Sequence, residues 1–209
     1  MDEAETLSGA GQRSATERRI VGAARELFMR DGFAATSTDA LCKAASVSKT
    51  SIYKYFGNMV GVFTAVVAEE GDLYNLGADP IGHSREDFLD TLSAYGDRLL
   101  TLLNNELCIQ LDRTIHEEAR GSAELARSFY DAAYGRGHRE VGAMIGEAQR
   151  KGFVYHAVPA EDLADNLISM WEGLRLVRAR LGLTKKPFEN PKEWSRHCVN
   201  TLFAVRSAT

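Results

Sequence analysis

An all-α fold, with a small N-terminal three-helix head carrying a helix-turn-helix and a larger helical body, is what this sequence predicts, on three observations. Apolar residues recur at intervals of three and four along most of the chain, and no stretch alternates apolar and polar residues for long enough to build a sheet. Gly, Pro and hydroxyl residues punctuate the periodic segments where helix caps and stops belong. Charge is segregated: residues 13–58 hold eight basic and four acidic residues, a net charge of +4, in a chain whose formal net charge is −4, which leaves −8 for the rest.

In the head, Thr16 is placed to cap a first helix whose Ile20, Val21, Ala24, Leu27 and Phe28 share one face, and Gly32 stops it. Phe33 then folds back on the core. Thr36, Ser37 and Thr38 offer side-chain oxygens to a short second helix holding Leu41, Ala44 and Ala45, which ends near Ser46. Ser48 caps a third helix, with Val47 and Ile52 spaced as a hydrophobic staple and no Glu or Gln at Ser51 to complete a capping box. Two short helices joined by a tight turn on a basic segment form a helix-turn-helix unit.

The body opens with a helix from Met59 that carries Val60, Phe63, Val66 and Val67, and a Gly- and Pro-marked break follows it. Helices are expected over Arg85–Leu103, Glu106–Ala119, Ser122–Tyr134 and His138–Lys151. A long one, preceded by Pro159 and Ala160, runs through Leu163, Leu167, Leu174 and Leu181 to the stop at Gly182, and the last spans Trp194–Val205. The domain organisation expected is a tail over 1–15, a helix-turn-helix domain over 16–58 and a helical body over 59–209.

Several functions lack their apparatus. Neither a phosphate-cradling Gly-Lys loop, nor a dinucleotide fingerprint, nor a serine nucleophile elbow is present. His116-Glu117-Glu118-Ala119-Arg120 begins like a zinc-protease motif, but Arg stands where the second His is needed. His197 and Cys198 are adjacent and so point to different faces of a helix. No metal and no cofactor are therefore expected. Cys42, Cys108 and Cys198 are odd in number and widely spaced, which suits a reducing cytoplasm better than a disulfide framework. No uncharged apolar run approaches the length of about 18 residues that a membrane helix needs, so no membrane partner is expected.

The third helix has an odd composition. In Val47-Ser48-Lys49-Thr50-Ser51-Ile52-Tyr53-Lys54-Tyr55-Phe56, burying Ile52 and Phe56 at i, i+4 leaves Lys49, Thr50, Ser51, Tyr53, Lys54 and Tyr55 on the other faces. Such a surface of donors and flat rings suits phosphates and base edges. Together with AA-x-x-LF-x-x-x-GF upstream, the Thr-Ser pair, V-S-K-x-x-I-Y-x-YF and a Phe in the next helix, Arg19 to Val67 resembles the DNA-binding domain of the TetR family of bacterial transcriptional regulators. Arg113 to Gly173, with R-x-x-x-x-E-A-R, L-A-R-x-F-Y and G-F-V before a Pro and a long helix, is similar to the AefR-type C-terminal domain of some members.

The resemblance implies a cytoplasmic, non-enzymatic homodimer that binds double-stranded operator DNA through its head and a small organic effector through its body. It assigns DNA contact to Thr36, Ser37, Ser48, Lys49, Thr50, Ser51, Tyr53, Lys54 and Tyr55. The Thr36, Ser48 and Tyr53 hydroxyls and the Lys54 amine fall to phosphates, and Lys49, Thr50 and Ser51 to the major groove. One departure is that Met59-Val60 replaces the Lys-Glu usual at the start of the fourth helix. Backbone N–H groups of Gly57 and Asn58 remain as the expected phosphate donors there.

Candidate lining for an effector cavity comprises Tyr95, Cys108, Phe129, Tyr130, Tyr134, Met144 and Met170, with His116, Trp171 and Arg175 as polar handles. The last two helices carry Leu163, Leu167, Leu174, Val177, Leu181, Trp194, Leu202 and Phe203, by resemblance a four-helix dimer interface and otherwise monomer core. Two rival readings stand beside this one: a helical small-molecule-binding protein whose head docks onto protein, and a helical enzyme using His116 and Glu117 as acid and base.

Overall fold

The structure, a computed structural model, describes residues 13–77, 79–118, 120–154 and 157–204. Residues 1–12 of the expected tail, and the helix ends expected at Ala119 and Val205, lie outside the described residues. Among the described residues every regular element is helical: α1 (Ala15–Asp31), α2 (Thr38–Ala45), α3 (Lys49–Phe56), α4 (Met59–Leu73), α5 (Arg85–Leu102), α6 (Glu106–Glu118), α7 (Ala123–Ala132), α8 (Tyr134–Arg150), α9 (Ala160–Arg180) and α10 (Pro191–Leu202). They fall into two compact units, one ending at Val66 and the next beginning at Val67, so the division lies within α4.

In the first unit, α1 is capped two residues earlier than expected. Ser14, not Thr16, accepts the Glu17 N–H at 3.3 Å, and the Glu17 carboxylate accepts the Ser14 N–H at 2.9 Å. This reciprocal box satisfies two helix-end donors at once, which a lone threonine hydroxyl cannot do. Ile20, Val21, Ala24, Leu27 and Phe28 are buried as their spacing predicts. Beyond Gly32, Phe33 returns to pack its ring 5.5 Å from Phe28 and 4.8 Å from Phe63 of α4.

Ser37 caps α2, accepting from Ala40 N at 3.1 Å. The helix ends on Ser46, a non-glycine residue in the left-handed region at φ 54°. Val47 N–H bonds the Cys42 carbonyl at 3.0 Å, closing the turn. Ser48 then starts α3, its hydroxyl accepting from Ser51 N at 3.2 Å and lying 3.0 Å from the Ser51 hydroxyl. Leu41 and Ile52 are both fully buried and tie the two helices to the unit's core.

The core of the second unit draws on α5, α8, α9 and α10. Its tightest crossing is α5 against α10 at Gly96, where a Cβ would stand 2.2 Å from Ser195 Oγ and 2.5 Å from the Trp171 ring. Hydrogen bonds fix the same place. Ser195 Oγ donates to the Ser93 carbonyl at 2.7 Å, and Trp194 Nε1 donates to the Trp171 carbonyl at 2.9 Å. Asn104 at the end of α5 clasps Phe188 by both amide groups, at 2.8 and 3.0 Å, and so anchors the loop leading to α10.

Three element boundaries differ from expectation. Helix α8 begins at Tyr134 rather than His138, directly after a break at Ala133 (φ −104°, ψ −85°). Gly135 and Gly137 have low helical propensity, but packing that buries Gly135 overrides it. Helix α10 begins at Pro191, three residues before Trp194, with proline in the first turn where its missing N–H costs nothing. The long helix α9 is interrupted at Gly173 (φ 47°, ψ −158°), a conformation that L side chains avoid. Helical periodicity is blind to such a break, because the apolar stripe continues on both sides.

Replacing Gly96 by Ala should destabilise the protein by about 1–3 kcal/mol through overpacking between Trp171 and Ser195, read as a lower denaturant midpoint with an unchanged slope.

Recognition helix and body cavity

Helix α3 is anchored by one face and open on the others. Ile52 is fully buried and Phe56 half-buried, while Ser48, Lys49, Thr50, Tyr53, Lys54 and Tyr55 are exposed; Tyr53 is 53% accessible. Lys49 Nζ lies 2.7 Å from Asp39 of α2, a bridge across the turn that holds its pKa above the ordinary lysine value. Lys54 Nζ sits 5.4 Å from the Tyr55 ring centre. The exposed hydroxyls, amines and rings thus share one continuous helix with a dry anchor beneath it.

Two residues assigned to DNA contact are placed differently. Thr36 is buried, and its hydroxyl donates to the Gly32 carbonyl at 2.7 Å, so it braces the turn before α2. Ser37 is exposed, but its oxygen is used as the α2 cap. The donors expected at Gly57 and Asn58 are also committed: Gly57 N–H bonds the Tyr53 carbonyl at 3.0 Å and Asn58 N–H the Phe56 carbonyl at 2.8 Å. Asn58 Oδ1 instead accepts from Gly61 N at 2.9 Å, capping α4.

The second unit encloses a cavity of about 110 Å³ among the end of α4 and helices α5 to α9. Of the candidate lining residues, the structure places Tyr95, Cys108, Phe129 and Tyr134 around it, together with Leu99, Leu103, Leu111 and Ile168. The other candidates lie elsewhere. Trp171 and Met144 are buried in the helix core, Met170 packs against that core, and Tyr130 is exposed. His116 is also exposed, its Nδ1 2.7 Å from the Asp112 carbonyl, beside an exposed Glu117. Arg175 stacks on the Trp194 ring at 3.6 Å, in a surface groove of its own.

The charged groups at the cavity come from residues outside the candidate set. Glu140 accepts the Tyr95 hydroxyl at 2.9 Å and Arg136 Nε at 3.2 Å. Asp112 accepts the Tyr134 hydroxyl at 2.5 Å and pairs with Arg180, whose guanidinium also donates to the Tyr134 oxygen at 2.5 Å. Burial, then the adjacent Glu140 and Asp112 carboxylates respectively, drive both phenols well above the ordinary tyrosine range. Glu172 lines the same end, 4.0 Å from Arg180. Burial pushes its carboxyl up to about 7; Arg180 opposes the rise and Asp112 adds to it.

A sequence signal for this polar end existed. Asp112 stands four residues after Cys108, and Glu172 four after Ile168, so both acids occupy apolar stripes of their helices where a solvated carboxylate has no place.

The candidate interface residues divide in two. Leu163, Leu167 and Phe203 are buried in the unit's own core, and Trp194 and Leu202 pack against it. Leu174, Val177 and Leu181, beyond the Gly173 break, are exposed at 68%, 38% and 69%, with Leu183 alongside in sequence at 73%.

Residues 20–66 match bacterial regulatory proteins of the tetR family, and residues 90–205, more than half of the chain, match the C-terminal domain of AefR-like transcriptional repressors. The chain belongs to the TetR family. Within this family it is a DNA-binding transcriptional regulator. It is 29% identical over 160 residues to the HTH-type transcriptional repressor SCO4008 of Streptomyces coelicolor, covering 75% of this chain and 76% of that protein. Over 55 residues, 26% of this chain and 28% of the relative, it is 33% identical to the transcriptional regulator UidR of Escherichia coli.

Solved structures share the fold. A TetR transcriptional regulator from Agrobacterium tumefaciens superposes with a TM-score of 0.76 at 21% identity, over 92% of this chain and 94% of that one. The flavonoid-responsive regulator FrrA gives 0.71 at 24%, over 93% and 98%. The relatives are regulators rather than enzymes. Among the described residues no helix is long and apolar enough to cross a membrane, and no cluster of three metal-ligating side chains occurs.

Glu172 gives this TetR member a defined pH response. Its folded-state pKa of about 7 lies above the unfolded value near 4.5, so the native state holds more protons between these limits. Stability therefore falls as pH rises from about 4.5 to 7 and is level above that, by up to about 3 kcal/mol from this group. Glu172→Gln should abolish that component: the variant gains on the wild type at pH 8 and matches it near pH 4 in parallel urea titrations.

Proposed function

We propose that the protein is a ligand-responsive repressor that binds a palindromic operator as a homodimer and is released by a small amphipathic effector. The observation that carries this reading is the wet face of α3, with Lys49, Thr50, Tyr53, Lys54 and Tyr55 exposed over a buried Ile52. Residues 16–58 act as the DNA-binding domain and 59–209 as the effector-binding and dimerisation domain. With DNA as partner, the protein works in the cytoplasm.

In this mechanism two copies of α3 enter successive major grooves, so that protein two-fold symmetry is mirrored in the operator and half-sites lie about 34–36 Å apart or near a multiple of that. Lys49, Thr50 and Ser51, at the N-terminal end of α3, face base edges; Ser48, Tyr53 and Lys54 position the helix on phosphates, and Tyr55 packs against the sugar. Thr36 and Ser37 support the turn rather than supply strong contacts, since their oxygens are already engaged. The second copy covers Leu174, Val177 and Leu181, whose exposure on one helical segment is otherwise hard to reconcile with a solitary chain. An effector in the cavity prefers the dimer with mis-spaced heads and weakens operator binding by its differential affinity, typically about 1–3 kcal/mol.

Selection of bound sequences from random duplexes tests the whole reading: a palindrome with a fixed half-site spacing is expected, and asymmetric or unenriched sequences would refute it. On the selected operator, Lys54→Ala should weaken binding to all sequences alike and reduce the slope of log affinity against log salt by about 1. Leu181→Glu, placed on the exposed segment of α9, should halve the mass seen by analytical ultracentrifugation and abolish operator binding at nanomolar protein, with the helical circular dichroism retained.

A further inference from the structure

The cavity's charge balance narrows its ligand, on the reading that the cavity is the effector site. Four carboxylates line it, from Glu70, Asp112, Glu140 and Glu172, against one lining guanidinium, that of Arg136. Arg136 is itself divided among Glu140, Asp72 at 2.8 Å and the Leu76 carbonyl at 2.6 Å. Arg180, behind the wall, directs its donors to Asp112 and the Tyr134 oxygen. Glu172 is left 4.0 Å from that guanidinium, and among the described residues no hydrogen bond reaches it.

A carboxylate in this position is costly to ionise unless a positive charge comes to it. A second anion entering the cavity would meet an acidic wall with no spare donor at this end. A neutral apolar ligand would gain from the aliphatic floor but leave Glu172 as it stands. A cation satisfies both, because its charge pairs with Glu172 while its apolar part lies among the aromatic side chains of Tyr95, Phe129 and Tyr134 that line the same space. We propose that the cavity takes a small organic cation joined to an aryl or short alkyl group, with the Glu172 carboxylate as its counter-ion.

Binding of this kind releases a proton. The groups acting on Glu172 are Arg180 on its own helix, Asp112 on α6 and Tyr134 on α8; Glu140 and Arg136 on α8 and Glu70 on α4 line the same cavity, and His116 lies beyond Asp112. A cation beside Glu172 pulls its carboxyl down from about 7, so the cation binds best where that proton is already gone. Affinity for a permanent cation therefore rises between pH 6 and 8, by about tenfold.

The test uses the full chain and three probes of one shape class: phenyltrimethylammonium, its uncharged isostere tert-butylbenzene, and benzoate. Calorimetric titrations at pH 8 should give the cation at least a tenfold advantage over the isostere, with benzoate weakest, and that advantage should shrink about tenfold at pH 6. In Glu172→Gln the cation and the isostere should bind within about threefold of each other at both pH values. Equal or tighter binding of the isostere or of benzoate at pH 8 overturns the cation assignment while leaving the effector cavity standing. A cation preference that persists in Glu172→Gln removes Glu172 as its counter-ion and overturns the proposal. Failure of all three probes to bind overturns both the cation site and the cavity reading beneath it.

Discussion

The body of this protein depends on how closely α5 and α10 approach at Gly96. Only a residue without a side chain lets Ser195 and the Trp171 ring occupy the same place, and the indole is thereby enclosed completely. Trp171 stacks on Tyr95 at 6.3 Å between ring centres, so the fixed indole backs a ring that lines the cavity without reaching the cavity itself. The next residue, Glu172, is carried to the cavity, and the one after it is Gly173, where the helix breaks. Anchor, carboxyl and break follow one another in three consecutive positions.

That sequence of three links the body's chemistry to its surface. Before Gly173 the apolar residues of α9 serve the core; after it, Leu176 and Ala179 stay buried while Leu174, Val177 and Leu181 turn outward. A continuous helix would keep the stripe on one side along its whole length. The break shifts the register, so that beyond it Leu176 and Ala179 take the buried positions while Leu174, Val177 and Leu181 form a separate exposed apolar face. Arg113 holds the end of the segment beyond the break by donating to the Ala179 and Arg180 carbonyls of its last turn.

The head follows the opposite design, with little buried and much displayed. Eight residues of α3 are fixed by one fully enclosed side chain, Ile52, and by a cap made from Ser48 and Ser51. A left-handed Ser46 sets the turn from α2, and the Lys49–Asp39 bridge spans the two helices on the wet side. An exposed bridge of this type adds little stability; its effect is to pre-orient a lysine.

The sequence by itself determined the helical class, the helix-turn-helix, the buried stripe of α1, the capped start of α3 and the membership of the TetR family, because these follow from short-range periodicity, capping chemistry and a local motif. It also held the four aromatic and sulfur residues of the cavity wall, Tyr95, Cys108, Phe129 and Tyr134. Only the tertiary structure decided which other rings stay in the core, that Thr36 turns inward, that α9 breaks at Gly173, and that Asp112, Glu140, Glu172 and Arg136 meet around one space. Those outcomes depend on side chains far apart in sequence being brought within a few ångströms, and on the desolvation this imposes. A pattern that reports only which face of a helix is apolar carries no record of what will face it.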